Sequence, residues 1–195
     1  MLAAVILSGG ASSRMGSPKA LISYQGRPFL EHLLEVSQHP RISVRRVVLG
    51  VHAEPIARAI QLRADETVIN PDWEKGQLSS LHAAMHSLPA GLDGLMLFLV
   101  DHPLISAALV NELVAAFYAS HAPIALPVFQ GRCGHPVIFS SRFFPELLAA
   151  PMDVGARAVV WAHRGEVCEF PTNEGGCVLN LNDPETFDRA MGPRA

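Results

Sequence analysis

The sequence predicts an α/β fold built on a mostly parallel sheet that turns mixed in its second half, and three observations carry that expectation. Short apolar runs of strand length alternate with segments of helical period, as in successive βαβ units. The run LMLFLV at 95–100 has no polar interruption, the pattern of a central strand covered on both faces. Ile124–Phe129, a turn at Gln130–Arg132 and His135–Phe139 follow one another with no helix between them, so they read as paired strands.

In chain order, Leu2–Leu7 is an apolar strand that runs into a glycine loop. Pro28 opens a helix whose Phe29, Leu30, Leu33 and Leu34 share one face. Val44–Val51 is a second strand, and its two arginines put it nearer an edge. Pro55 starts a short helix through Ile56 and Ile60, and Thr67–Ile69 is a third strand leading into NPDWEKGQLSSL. A helix from Ser79 carries Leu81, Met85 and Leu88, and LMLFLV ends abruptly in Asp101, His102 and Pro103. Polarity switching on at the carboxyl end of a central strand marks a site. Ser106 caps the next helix, through Leu109, Val110, Leu113, Val114 and Phe117.

Composition narrows the function classes. A chain of 195 residues suits one domain, 1–195, able to bury a core without staples. With 49% apolar and 17% charged residues and a net charge of −3, it has no broad basic face for nucleic acid. Cys133, Cys168 and Cys177 form no C-x-x-C pair, which excludes a disulfide framework and a cysteine zinc site. The start, MLAAVILSGG, lacks a basic n-region and its apolar run is too short for a signal peptide or a membrane span. The expected location is the cytoplasm, with no membrane partner.

The chemistry concentrates in SGGASSRMGSPK at 8–19. A P-loop requires G-x-x-x-x-G-K-[ST], but Ser17 and Pro18 separate Gly16 from Lys19. A dinucleotide fingerprint requires G-x-G-x-x-G opening a helix, whereas Gly9 and Gly10 are consecutive and Pro18 interrupts any helix begun at Ser12 or Ser13. What remains is an irregular loop whose bare amides from Gly9 to Ser13, with Arg14 and Lys19, form a concavity suited to a polyphosphate. A plain turn with solvated cations is the alternative.

With that loop, Asp101 and NPDWEKGQLSSL at 70–81 together, the sequence resembles the MobA-like nucleotidyltransferases, and within them the molybdenum-cofactor cytidylyltransferase (MocA-type) branch. Leu7–Lys19 matches the family signature L-[AS]-[AG]-G-x-S-x-R-M-G-x-x-K throughout, and the likeness continues in VDHP, GRCGHPVIF, DVGAR at 153–157 and NLNDPETF at 180–187. The resemblance implies a three-layer α/β/α Rossmann-like nucleotidyltransferase fold. It implies transfer of NMP from an NTP, CTP or alternatively GTP, to molybdopterin with loss of pyrophosphate, and a recipient molybdoenzyme downstream. Leu7, Ser8, Gly9, Gly10, Ser12, Ser13, Arg14 and Lys19 would hold the triphosphate, with Arg14, Lys19 and Asp101 as the catalytic groups. Asp101 and Asn182 would hold magnesium, with Asn180 as the fallback for Asn182. A sugar 1-phosphate acceptor and a non-catalytic module that delivers cofactor are the rival functions.

The remaining conspicuous residues divide between binding and structure. Gln77 and Ser80 can meet the nucleotide, or Ser79 or Ser80 can simply cap a helix. His82 and His86 have a chelating spacing but neither a Glu at 83 nor a third ligand, so no zinc is expected. The resemblance also makes His135, Asp153 and Arg157 the candidate acceptor contacts. A structural histidine beside Pro136 and a capped helix start are the alternatives. An acceptor phosphate is already ionised near neutral pH, its second pKa being about 6, so no side chain need remove a proton from the nucleophile.

Overall fold

The all-buried run Leu2–Ser8 forms β1, an interior strand of a large sheet, in the computed structural model, which describes residues 1–10 and 16–191. A hairpin of β2 (Ser23–Tyr24) and β3 (Arg27–Pro28) precedes α1 (Phe29–Val36), β4 (Ile42–Leu49), α2 (Ala53–Ile60) and β5 (Thr67–Ile69). Then come α3 (Gln77–His86), β6 (Gly94–Leu99), α4 (Ala107–Ser120), β7 (Ile124–Phe129), β8 (Arg132–Cys133) and β9 (Val137–Ser140). The chain continues through α5 (Phe144–Ala149), α6 (Arg157–Ala162), β10 (Val167–Pro171) and α7 (Pro184–Met191). The cysteines are free thiols. Among the described residues no helix is long and apolar enough to cross a membrane.

The strands order as β10-β7-β9-β6-β1-β4-β5, with β8 paired to β7. β1 runs parallel to β4 and β6, and β4 parallel to β5. β9 lies antiparallel between β6 and β7, so the sheet is mixed as the sequence predicts. β6 occupies the middle position, and β4, with its two arginines, sits one strand in from the edge.

Strand alternation gives the sheet two apolar faces. Leu2, Ala4, Ile6, Met96 and Phe98 pack with residues of α1, α2, α4 and α7. Ala3, Val5, Leu7, Leu95, Leu97 and Leu99 pack with residues of α3, α5 and α6. The outcome is the three-layer α/β/α arrangement. Ser106 caps α4 as expected, its hydroxyl accepting from the Leu109 amide at 3.1 Å.

Several boundaries differ from the sequence expectation by one or two residues, among them those of β4, α2 and α3. β4 spans Ile42–Leu49 rather than 44–51. α2 begins at Ala53, so Pro55 lies within its first turn, where the missing amide proton costs nothing. α3 starts at Gln77, two residues before Ser79, because Gly76 adopts φ +99° and ends the preceding turn there.

Phe98 has no exposed surface. Phe98→Ala is expected to lower unfolding free energy by about 3–5 kcal/mol in urea titration. By contrast Val51→Ala, at a residue 48% exposed, should change it by less than about 0.5 kcal/mol.

Candidate active site

The parallel strands β1, β4, β5 and β6 deliver their carboxyl ends to one edge of the sheet, where an open α/β sheet places its crevice. A cavity of about 200 Å³ lies there, lined by Leu7, Ser8, Gly9, Gly10, Lys19, Gln77, Ser80 and Asp101 among others. The described residues expected to hold the nucleotide, Leu7, Ser8, Gly9, Gly10, Lys19, Gln77 and Ser80, therefore line one cavity. Ser12, Ser13 and Arg14 lie outside the described residues.

Close backbone approach shapes this cavity. A Cβ on Gly50, just after β4, would stand 2.1 Å from the Gly9 carbonyl oxygen and 2.9 Å from Trp73 Cβ, so only glycine lets the loop after β1 and Trp73 pack against it. Beneath them a buried network fixes the 70–80 segment. Asn70 Nδ2 donates to Ser79 Oγ at 2.9 Å and Ser80 Oγ at 3.0 Å, and Asn70 Oδ1 accepts from the Asp72 amide at 3.0 Å. Ser79 Oγ in turn lies 2.8 Å from the Gly76 carbonyl oxygen. A satisfied buried network of this kind holds its members in one arrangement. Ser80 is thus both a support and a cavity wall, and neither serine is the cap of α3.

Lys19 brings the two predicted oxygen donors together. Its ammonium donates to Asn182 Oδ1 and lies 3.8 Å from Asp101 Oδ2, with Lys19 and Asp101 side chains 17% and 18% exposed. The Leu181 amide donates to the Asp101 carbonyl at 2.8 Å, which fixes the 180–182 segment beside the end of β6. Asn182, rather than Asn180, is the one that reaches this cluster, while Asn180 Oδ1 is buried with no hydrogen-bond partner.

A carboxylate and a neutral amide oxygen are hard donors, and magnesium needs only one or two such protein ligands beside phosphates and water. Asp101 and Asn182 already hold a cation, the Lys19 ammonium, at the same oxygens, so the donor set fits a hard divalent ion. Among the described residues no three His, Cys, Asp or Glu side chains gather into a metal-binding group. His82 Nε2 instead bonds the Leu147 carbonyl at 2.9 Å.

A larger cavity of about 560 Å³ adjoins the first, because Gln77 lines both. His135, Asp153 and Arg157 all line it. Burial pushes the His135 pKa down to about 3, with neighbouring His102 adding to the effect. The imidazole therefore brings no positive charge to an acceptor phosphate at neutral pH. His102 is itself buried, its ring centroid 4.9 Å from that of His135. Gly134 lets this segment approach closely, since a Cβ there would stand 2.6 Å from the Cys177 carbonyl oxygen. Ala156, not Asp153, takes the cap position of α6, and Arg157 Nε donates to the Val154 carbonyl at 2.8 Å. Trp161, Arg164 and Glu169 also line this cavity. No motif or periodicity in the sequence singles them out.

Comparison with known proteins agrees with this architecture. The chain is 28% identical to the purine catabolism protein PucB of Bacillus subtilis, over 97% of each chain. It is 30% identical to nicotine blue oxidoreductase of Paenarthrobacter nicotinovorans over 78% of each, and 28% identical to molybdenum cofactor guanylyltransferase of Vibrio atlanticus over 93% of this chain and 91% of that one. The crystal structure of Rv0371c from Mycobacterium tuberculosis superposes with a TM-score of 0.80 at 26% identity, covering 98% of both chains. A manganese complex of Rv0371c superposes with a TM-score of 0.77 at 24% identity. The relatives carry names of different activities, but one family model matches this chain from residue 4 to 167, from β1 with its glycine loop to the start of β10. The chain belongs to the MobA-like NTP transferase family.

Proposed function

We propose that this protein transfers a nucleoside monophosphate from an NTP to the phosphate of molybdopterin and releases pyrophosphate, with magnesium as its metal. The observation that carries the proposal is the Lys19 cluster with Asp101 and Asn182 at one end of a cleft that continues, past Gln77, into a cavity large enough for a second substrate. CTP is the donor assigned from the MocA-type motifs. GTP is the alternative supported by relatives named guanylyltransferases.

In this mechanism an oxygen of the ionised acceptor phosphate attacks the α-phosphorus. The new O–P bond forms as the bond to the β-phosphate oxygen breaks, and the electron pair leaves with pyrophosphate. Repulsion between the two anions is the main obstacle, and positioning with charge stabilisation is the main remedy. Lys19 supplies a fixed positive charge from the floor of the smaller cavity, and the amides of Gly9 and Gly10 supply donors beside it. Asp101 and Asn182 would hold magnesium, which when bound cancels negative charge on the phosphates. His135, being neutral, serves as a wall of the acceptor cavity rather than as an acid or base.

Pyrophosphate release with each of the four NTPs, with and without molybdopterin and magnesium, tests the proposal. Release confined to one NTP with both additions is the expected result, and silence in every combination overturns it. Lys19→Ala and Asp101→Ala are each expected to lower kcat by about 10²–10³-fold at unchanged far-ultraviolet circular dichroism. Asn182→Asp, which adds a carboxylate beside Asp101, is expected to tighten binding of Mn²⁺ in the absence of nucleotide, read by calorimetry. Gly50→Ala is expected to weaken NTP binding on the order of 10-fold or more, since its methyl group must displace the Gly9 carbonyl or Trp73.

A further inference from the structure

Trp161 is 60% exposed, yet it does not stand on open surface: it lines the 560 Å³ cavity. Nothing in the transfer chemistry uses it. An indole left uncovered beside a cavity keeps a large apolar face in water that a flat ligand can remove from it. The Arg157 guanidinium lies over the ring, with Cζ 5.3 Å from its centroid, and Arg157 is itself fixed by the Val154 carbonyl. A ring with one face covered by a cation offers the other for stacking.

Glu169 lines the same cavity from β10, in register with Leu126 of β7. Among the described residues no ion pair engages its carboxylate, although Arg157 and Arg164 border the cavity as well. The cavity floor is apolar, formed by Leu97, Leu126 and Val137 among others. An apolar pocket with a few placed polar groups is the usual form of a small-molecule site. A carboxylate presents two acceptor oxygens side by side and no donor. Its matching partner is a pair of adjacent N–H groups, as on a ring N–H next to an exocyclic amino group, and a carbonyl at either place would repel it.

We propose that Trp161 and Glu169 select the heterocycle of the acceptor: a flat fused ring with a 2-amino-4-oxopyrimidine edge, stacked on the indole and hydrogen-bonded through that edge to the Glu169 carboxylate. This rests on the assignment of the larger cavity to the acceptor and adds to it the residues that distinguish one acceptor from another. Both side chains are exposed, so their replacement leaves the core untouched.

The test uses two small probes on the full chain, followed by their own fluorescence: pterin, which carries the 2-amino group, and lumazine, which has a carbonyl in its place. Wild type is expected to prefer pterin by roughly 10-fold, the scale of a hydrogen bond to a charged group. Trp161→Leu should weaken both probes on the order of 10-fold or more, and Glu169→Gln should erase the preference while binding persists. Equal binding of the two probes by wild type, no binding of either, or a Trp161→Leu variant that binds like wild type overturns the proposal. The transfer assay separates this from the function itself. Turnover of molybdopterin with KM unchanged in both variants removes the selectivity role and leaves the reaction standing. The expected probe pattern, without pyrophosphate release from any NTP, keeps the heterocycle site and removes the reaction.

Discussion

The site depends on one cation held between oxygen donors from distant parts of the chain. Lys19 and Asn182 are 163 residues apart in sequence, and Asp101 stands at the end of the central strand between them. Two oxygens aimed at one point repel each other unless a positive charge lies there, and the Lys19 ammonium supplies that charge within the protein itself. The Lys19 ammonium therefore keeps these oxygens converged on a cation. Such preorganisation is what electrostatic catalysis requires, since donors already in position need no rearrangement as charge develops.

The fold makes this convergence possible through small residues and backbone contacts rather than through further charges. Gly50 allows the loop after β1 to lie against the end of β4, and the Asn70 network fixes the turn that leads into α3. The antiparallel insertion of β9 between β6 and β7 does the corresponding work for the second cavity. It carries the segment with Gly134 and His135 alongside the end of β6, and so sets the larger cavity next to the smaller one. Gln77, first residue of α3, borders both spaces.

Much of this was legible in the residues themselves, for reasons that are local. An apolar run ending in Asp101 signals a buried strand that emerges at a site, and Ser106 before a helical period signals a cap. Other features are long-range and leave no local mark. The φ of Gly76 that starts α3 early, the pairing of β9 with β6, and the contact of His102 with His135 all depend on the closed sheet. His135 stood out as a candidate contact, but its neutrality is a product of burial, which a single sequence does not display. Trp161 and Glu169 escaped attention because an exposed aromatic on a short helix and an acid on an edge strand look ordinary until a cavity joins them.

On the proposed function, the oxygens of Asp101 and Asn182, together with Lys19, form a cation and phosphate site. A crystal structure with α,β-methylene-CTP and magnesium tests it most directly. The expected result is an ion coordinated by Asp101 and Asn182 oxygens, with the Lys19 ammonium moved onto a phosphate oxygen. Nucleotide bound with its metal elsewhere, and Lys19 still on Asn182, would contradict it.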